Sequence, residues 1–231
     1  MKGWLARPKR PPSLVARRNG ATSCGEAGFG EAGAKAGGPV RLFVAVDLDE
    51  NLRRAAARVT RTLRDQMELA ETYAVSWVGP ENLHLTLRFL GEVNQDLARR
   101  VEQAFAQPFA VAPFDIELAG AGVFPPAGSA RVIWLGIARG GDQLAALHEQ
   151  AEARLLPFAF ENEDRPYRAH LTIGRFRVPA PARVREVITT SGAGTIGRCT
   201  VRHVTLYRSQ LSPKGAVYTP LVRAPLVGSS L

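Results

Sequence analysis

Two of the four histidines in this chain open nearly the same phrase: HLTLRF over residues 84–89 and HLTIGRF over residues 170–176. Each alternates polar and apolar residues, the period of a half-buried strand, so each sets an imidazole and a hydroxyl side by side on one face. On that alternation His84, Thr86 and Arg88 share a face, while Leu85, Leu87 and Phe89 point into a core. In the second phrase His170 and Thr172 stand opposite Leu171 and Ile173. One such phrase is as readily a hydrogen-bonded polar strand face as a site; duplication is the signal. Imidazole titrates near pH 6.5, so one ring serves as base and another as acid near neutrality. Two imidazoles flanking one phosphorus supply both proton transfers of an in-line displacement at a phosphodiester, each typically worth about 10²- to 10⁴-fold. Thr86 and Thr172 then donate hydrogen bonds to the non-bridging oxygens, and an arginine neutralises their charge.

Arg175 is the candidate for that arginine. Strict alternation puts it opposite His170, but Gly174 intervenes, and glycine in a strand marks a bulge or bend that re-aims the next side chain. No metal and no cofactor are expected: two histidines fall short of the three or four ligands zinc takes, and no acidic residue stands beside them at ligand spacing. The remaining candidates fare less well. His148 lies in a helical stretch as a surface or boundary residue, and His203 has no repeated partner and reads as structural. Trp77 and Trp134, both in strand-like runs, are expected in the core.

The surrounding pattern must bring the two phrases together. RLFVAVDL (41–48) reads as a buried strand, and ENLRRAAARVTRTLRDQMELA (50–70) as a helix with Leu52, Ala56, Val59 and Leu63 on one face. VSWV (75–78) and LHLTLRFLGEV (83–93) read as strands, and 94–106 as a helix with Asn94 as N-cap. Strands follow at 114–124 and 130–138, a helix at 141–157, a strand at 170–178 and a short helix near 181–190. Residues 197–211 and 216–224 read as a closing pair of strands. Strands and helices thus alternate in two comparable stretches, each with one H-L-T strand. This predicts an α+β fold of two similar lobes of antiparallel sheet, with outer helices, facing across a central cleft.

Bulk properties permit this and exclude other classes. At 231 residues the chain buries a full core, and 22% charged residues is ordinary for a globular protein. No apolar run approaches the roughly 18 residues of a membrane span. Cys24 and Cys199 lie too far apart in sequence for metal-ligand spacing or a disulfide framework, which fits a reducing cytoplasm. The +9 formal charge is uneven: residues 1–39 hold seven basic residues against Glu26 and Glu31, a net of +5, leaving +4 for residues 40–231. A polyanionic partner is compatible with that balance. Rich in Gly, Ala, Pro and Arg, residues 1–39 read as a disordered basic extension ahead of a single bilobal domain over 40–231. A gene start placed ahead of Val40 is the favoured explanation, over a nucleic-acid-binding tail and a targeting peptide.

The extended blocks carry a resemblance. RLFVAVDL, WVGPENLHLTLRFLGEV, VFPPAGSARVIWLGI, YRAHLTIGRF and LYRSQLSPKGAVY are similar, in that order, to the RNA 2′,3′-cyclic phosphodiesterase (2′-5′ RNA ligase-like) family of the 2H phosphoesterase superfamily. The likeness spans residues 41 to about 224; residues 1–39 have no counterpart, and Arg168-Ala169 stand where relatives often carry proline. It implies hydrolysis of an RNA 2′,3′-cyclic phosphate end to a 2′-phosphomonoester, with reversal joining such an end to a 5′-hydroxyl. By position His84 matches the proton donor, His170 the proton acceptor, and Thr86, Thr172 and Arg175 the phosphate-binding groups. The implied partner is RNA with a cyclic phosphate terminus, acted on by a monomer in the cytoplasm. The competing readings are turnover of a small cyclic phosphate or a 2′-5′ oligoadenylate, and a basic cleft that holds RNA without turnover.

Overall fold

A run apolar on both faces needs cover on both, and the first strand, β1 (Val40–Asp47), receives it: Leu42 to Val46 are all buried. The computed structural model describes residues 38–70, 74–161, 166–181, 184–212 and 215–228. The basic extension read over 1–39, Cys24 included, therefore lies outside the described residues except for Gly38 and Pro39. Helix α1 (Glu50–Ala70) begins where the Asp49 carboxylate accepts the Leu52 N–H at 2.7 Å, and it buries Leu52, Ala56, Leu63 and Met67 along one face. β2 (Val75–Trp77) and a 3₁₀ turn (Pro80–Asn82) lead into β3 (His84–Val93). Asn94 caps α2 (Gln95–Phe105), its side chain accepting from the Leu97 N–H at 2.8 Å. β4 (Phe114–Phe124), β5 (Ala130–Arg139), α3 (Gly141–Leu155), β6 (His170–Ala180) and α4 (Val184–Ser191) follow. The chain closes with β7 (Thr195–Val201), β8 (His203–Ser212) and β9 (Gly215–Pro225).

Among the described residues the strands form one antiparallel sheet ordered β7-β4-β5-β6-β3-β1-β8-β9, with β2 added beside β6. The sheet is nearly cut in two at its middle, because β3 and β6 meet through a single residue pair, Leu85 with Leu171. On one side stand β7, β4, β5 and β6; on the other β3, β1, β8 and β9. These are the two lobes, and the α+β class with outer helices is as expected.

The halves are not the two contiguous stretches that the alternation suggested. β4 follows the first H-L-T strand in sequence but pairs with β5 in the second half, and β8 returns to pair with β1 in the first. The helices cross as well: α1 packs on β7, and α3 packs on β3. Each half is therefore covered by one helix from the other stretch beside one of its own, α2 on β1 and β9 and α4 on β4 and β5. The expected single strand over 197–211 is likewise two strands on opposite halves, since β7 pairs with β4 while β8 pairs with β1. They part at Arg202, where no Gly or Pro announces a break; its carbonyl accepts the Leu226 N–H instead of a ladder bond. Leu85, Leu171, Ile133, Leu135 and Val44 are fully buried between sheet and helices, each such side chain contributing roughly 1.5–3 kcal/mol of transfer free energy.

Candidate active site

The one ladder pair between β3 and β6 sets the geometry. With Leu85 opposite Leu171, an antiparallel register places His84 across from Thr172 and Thr86 across from His170. All four share the face opposite the two leucines. The two histidines occupy diagonal positions, which in an antiparallel ladder lie about 7–8 Å apart. Both rings and both hydroxyl residues are half-buried, whereas the two leucines are fully buried behind them. The structure thus brings together four of the five residues singled out in the sequence on one small platform.

The fifth, Arg175, arrives by a device common to both strands. Along β1 the partner of Thr86 is Ala45 and that of Arg88 is Val44, so Leu87 is an extra residue; along β5 Thr172 faces Trp134 and Gly174 faces Ile133, so Ile173 is extra. Each is a β-bulge, and each reverses the faces of the residues beyond it. Arg175 is exposed, and its charge acts on His84, His170 and Tyr218 alike.

The same bulge overturns the expectation for the first phrase. Arg88 is not on the histidine face: it is 5% exposed and its Nε lies 2.7 Å from Glu152 Oε1. Phe89 is not in the core: it is 52% exposed, 6.0 Å from Phe43, whose ring is 4.8 Å from His84. Gly174 is not what creates the bulge, because β3 makes it with arginine at the matching position. It admits β2 instead, since a Cβ there would lie 3.0 Å from both Trp77 Cε3 and Val75 Cγ1.

The two rings are held alike. His84 Nδ1 donates to the Asn82 carbonyl at 2.8 Å, and His170 Nδ1 donates to the Arg168 carbonyl at 2.7 Å. A carbonyl only accepts, so Nδ1 carries a proton in both and Nε2 is left to exchange one. Burial lowers the pKa of His84; the Asn82 bond and the Asp47 carboxylate push it back up, and Arg175 lowers it again. Burial also lowers His170, with its Arg168 bond raising it and Arg175 lowering it.

Several neighbours carried no signal in the sequence. The His84 ring touches Phe43 and, edge-on at 5.3 Å, Tyr218; the His170 ring meets Phe124 edge-on at 5.0 Å. Trp134, expected in the core, is half-buried on the face of Thr172, directly across from it, with its ring 5.2 Å from Phe124. Strand alternation around the buried Ile133 and Leu135 sends it there. Trp77 does pack against the core. Beside His84 opens a hollow of about 240 Å³ that reaches Asp47, Arg53, Glu81, Tyr207 and Arg223. Asp47 accepts from Thr205 at 2.8 Å and Tyr207 at 2.5 Å, and Arg223 lies at 3.5 Å. Long-range strand pairing assembles this group, and no local motif would have found it.

The other residues weighed in the sequence lie elsewhere. His148 is half-buried, stacked on Tyr167 at 4.4 Å, with Nδ1 3.0 Å from the carbonyl of the bulged Leu87. His203 is exposed at the start of β8. Among the described residues no three His, Cys, Asp or Glu side chains are grouped to hold a metal ion, and no helix is long and apolar enough to cross a membrane.

Comparison with known proteins agrees with this architecture. The model of the 2′-5′ RNA ligase superfamily matches residues 49–212, a span that includes both H-L-T strands. A protein of Archaeoglobus fulgidus named RNA 2′,3′-cyclic phosphodiesterase is 36% identical over 182 residues, covering 79% of this chain and 98% of that protein. Its namesake from Methanothermobacter thermautotrophicus is 36% identical over 184 residues, covering 79% and 96%. Among solved structures, E. coli LigT complexed with 3′-AMP superposes with a TM-score of 0.63 at 27% identity, covering 82% of this chain and 99% of that one. A protein of Thermus thermophilus gives 0.66 at 29% identity, with the same coverage. A bulged pair of H-L-T strands, a sheet that closes in halves around them and a family match across both place this chain in the 2′-5′ RNA ligase superfamily.

Proposed function

We propose that the protein hydrolyses RNA 2′,3′-cyclic phosphate ends to 2′-phosphomonoesters by two-histidine acid–base catalysis. The observation that carries the reading is the Leu85–Leu171 pair, which sets one imidazole and one hydroxyl from each strand around a common point with Arg175 facing both rings. Relatives at 36% identity bear the name of this activity. His170 Nε2 takes a proton from water as the water oxygen bonds to phosphorus. The P–O3′ bond breaks in line with that attack, and O3′ takes the proton from His84 Nε2. Thr86 and Thr172 donate to the non-bridging oxygens, and the Arg175 guanidinium offsets their growing charge. The product leaves with His170 protonated and His84 neutral, which is the state the reverse reaction needs. A 5′-hydroxyl in place of water gives a 2′-5′ linkage by the same transfers.

The mechanism asks for no metal, because the proton on each Nδ1 goes to a backbone carbonyl and the Nε2 atoms are needed for proton transfer. A cytoplasmic monomer belongs to the same proposal: one chain supplies every group named, and Cys199 is a free, buried thiol. The test is turnover of an oligonucleotide with a 2′,3′-cyclic end in the presence of chelator, with the product identified as the 2′-phosphate. Full activity in a His84→Ala, His170→Ala double variant would sink the mechanism. A higher kcat/KM for ADP-ribose cyclic phosphate or 2′-5′ oligoadenylate than for RNA ends would move the substrate. Salt-sensitive RNA binding with no product would leave only a binding module.

A further inference from the structure

We propose that Asp47 is a positioning residue that gives His84 the proton-donor role, and that Gly136 at the matching place leaves His170 the acceptor. The argument is one of register. In the first half His84 pairs across the ladder with Asp47 of β1; in the second His170 pairs with Gly136 of β5. Directly opposed residues project to the same face about 4.5–5.5 Å apart, so His84 has a carboxylate as its cross-strand neighbour and His170 has a bare backbone. The glycine is enforced as well, since a Cβ at Gly136 would lie 2.6 Å from the Ala119 carbonyl oxygen. At this ladder position the two frames thus differ by one carboxylate.

That charge is fixed in place. Thr205, Tyr207 and Arg223 converge on the Asp47 oxygens and hold the carboxylate in one orientation. The ionisable groups that face His84 are Asp47 from β1, Arg175 from β6, Tyr207 from β8, Tyr218 and Arg223 from β9, Glu81 from the 3₁₀ turn and Arg53 from α1. Glu81 folds back over Gly79, where a Cβ would meet its Oε1, and Asp47 is the carboxylate whose charge acts on the ring. On His170 the acting groups are its own burial, the Arg168 carbonyl and Arg175. An adjacent anion favours imidazolium, the form a proton donor needs at the start of turnover; its absence favours the neutral base.

The inference rests on the proposed acid–base reading, but its test is made on the free protein by NMR titration of both imidazoles. Asp47→Asn keeps the side-chain shape and an acceptor oxygen. It is expected to lower the His84 pKa by about one unit, near the low end of the range for an adjacent charge, and to leave His170 within a few tenths. Since His84 must be protonated, the alkaline limb of kcat/KM moves acidward by the same amount, and Asp47→Glu restores both. Arg223→Ala, an exposed change that removes the counter-charge from Asp47, moves His84 in the opposite direction. A His84 titration unchanged by Asp47→Asn, an equal shift of both rings, or a fall in Arg223→Ala overturns the proposal; the last decides alone if Asp47→Asn does not fold. Normal titrations without turnover of cyclic-phosphate RNA would instead count against the proposed function.

Discussion

β3 and β6 run through the same order of buried and exposed residues over their first nine positions, and both bulge at the residue after the H-L-T triplet. What they place on that common backbone differs. At the fifth position β3 buries Arg88 against Glu152 of α3, whereas β6 has Gly174 lying against Trp77 of β2. At the sixth, β3 exposes Phe89 and β6 exposes Arg175. The first bulge is held by an ion pair to a crossing helix, and the second by an added strand. The duplicated backbone supplies two equivalent platforms, and the unequal residues beside and across from them make an unsymmetrical site for an unsymmetrical reaction.

The largest effects test the equivalence of the platforms. His84→Ala and His170→Ala are each expected to lower kcat on a cyclic-phosphate end by about 10²- to 10⁴-fold, with the double variant far from multiplicative because the pair acts as a unit. A large loss in one and a negligible loss in the other would show that only one platform reacts. The two arginines separate next. Arg175→Ala is expected to lower kcat about 10²- to 10³-fold, the scale of one lost transition-state donor, with the urea midpoint unchanged. Arg88→Ala leaves Glu152 unpaired and is expected to cost about 3 kcal/mol of stability, read by urea denaturation, with little change in KM for the folded fraction. If the two phenotypes exchange, the assignment of faces after the bulge is wrong.

Much of this was legible in the sequence. Periodicity located the elements and the paired His and Thr residues, because a side chain's face follows from local alternation. It failed at Arg88 and Phe89, since a bulge is set by the neighbouring strand and β3 has no glycine next to the bulged Leu87. The glycine in the second phrase drew attention to the right place for the wrong reason. Asp47 and Gly136 were invisible for another cause: each matters only as a cross-strand partner, and register between distant segments is a tertiary fact. The crossed halves were hidden likewise, because alternation slips phase at Arg202-His203 only as it would at a bulge within one strand, and nothing local sends β8 to the far side of the sheet.

A smaller effect concerns pH. Burial lowers both histidines from 6.5, so the centre of the kcat/KM profile is expected on the acid side of that value. The same shifts bear on stability with a definite sign. The folded rings resist protonation, so as pH falls below about 6.5 the unfolded chain takes up protons first and stability declines until the folded values are passed. Urea midpoints measured across this range should fall in the wild type and fall less in the double histidine variant. An equal fall in both would assign the dependence to other groups.

The smallest effect separates the two uses of the residue after the bulge. Gly174 does not have a left-handed backbone, so alanine is permitted there and the question is space. Its Cβ would press on Trp77 and Val75 of β2, a strand flanked by bonds from Val78 N–H to the Ile173 carbonyl at 2.9 Å and from Arg177 N–H to the Ala74 carbonyl at 2.8 Å. A neighbour that must give by a few tenths of an ångström implies a stability loss of about 1 kcal/mol or less, at the low end of overpacking costs. Activity should fall only a few fold, because Arg175 is aimed by the bulge, which alanine preserves. If Gly174→Ala instead matches Arg175→Ala in kcat while the urea midpoint holds, glycine aims the arginine and the two bulges are not equivalent. If stability falls with activity nearly intact, the glycine serves β2, as its contacts indicate.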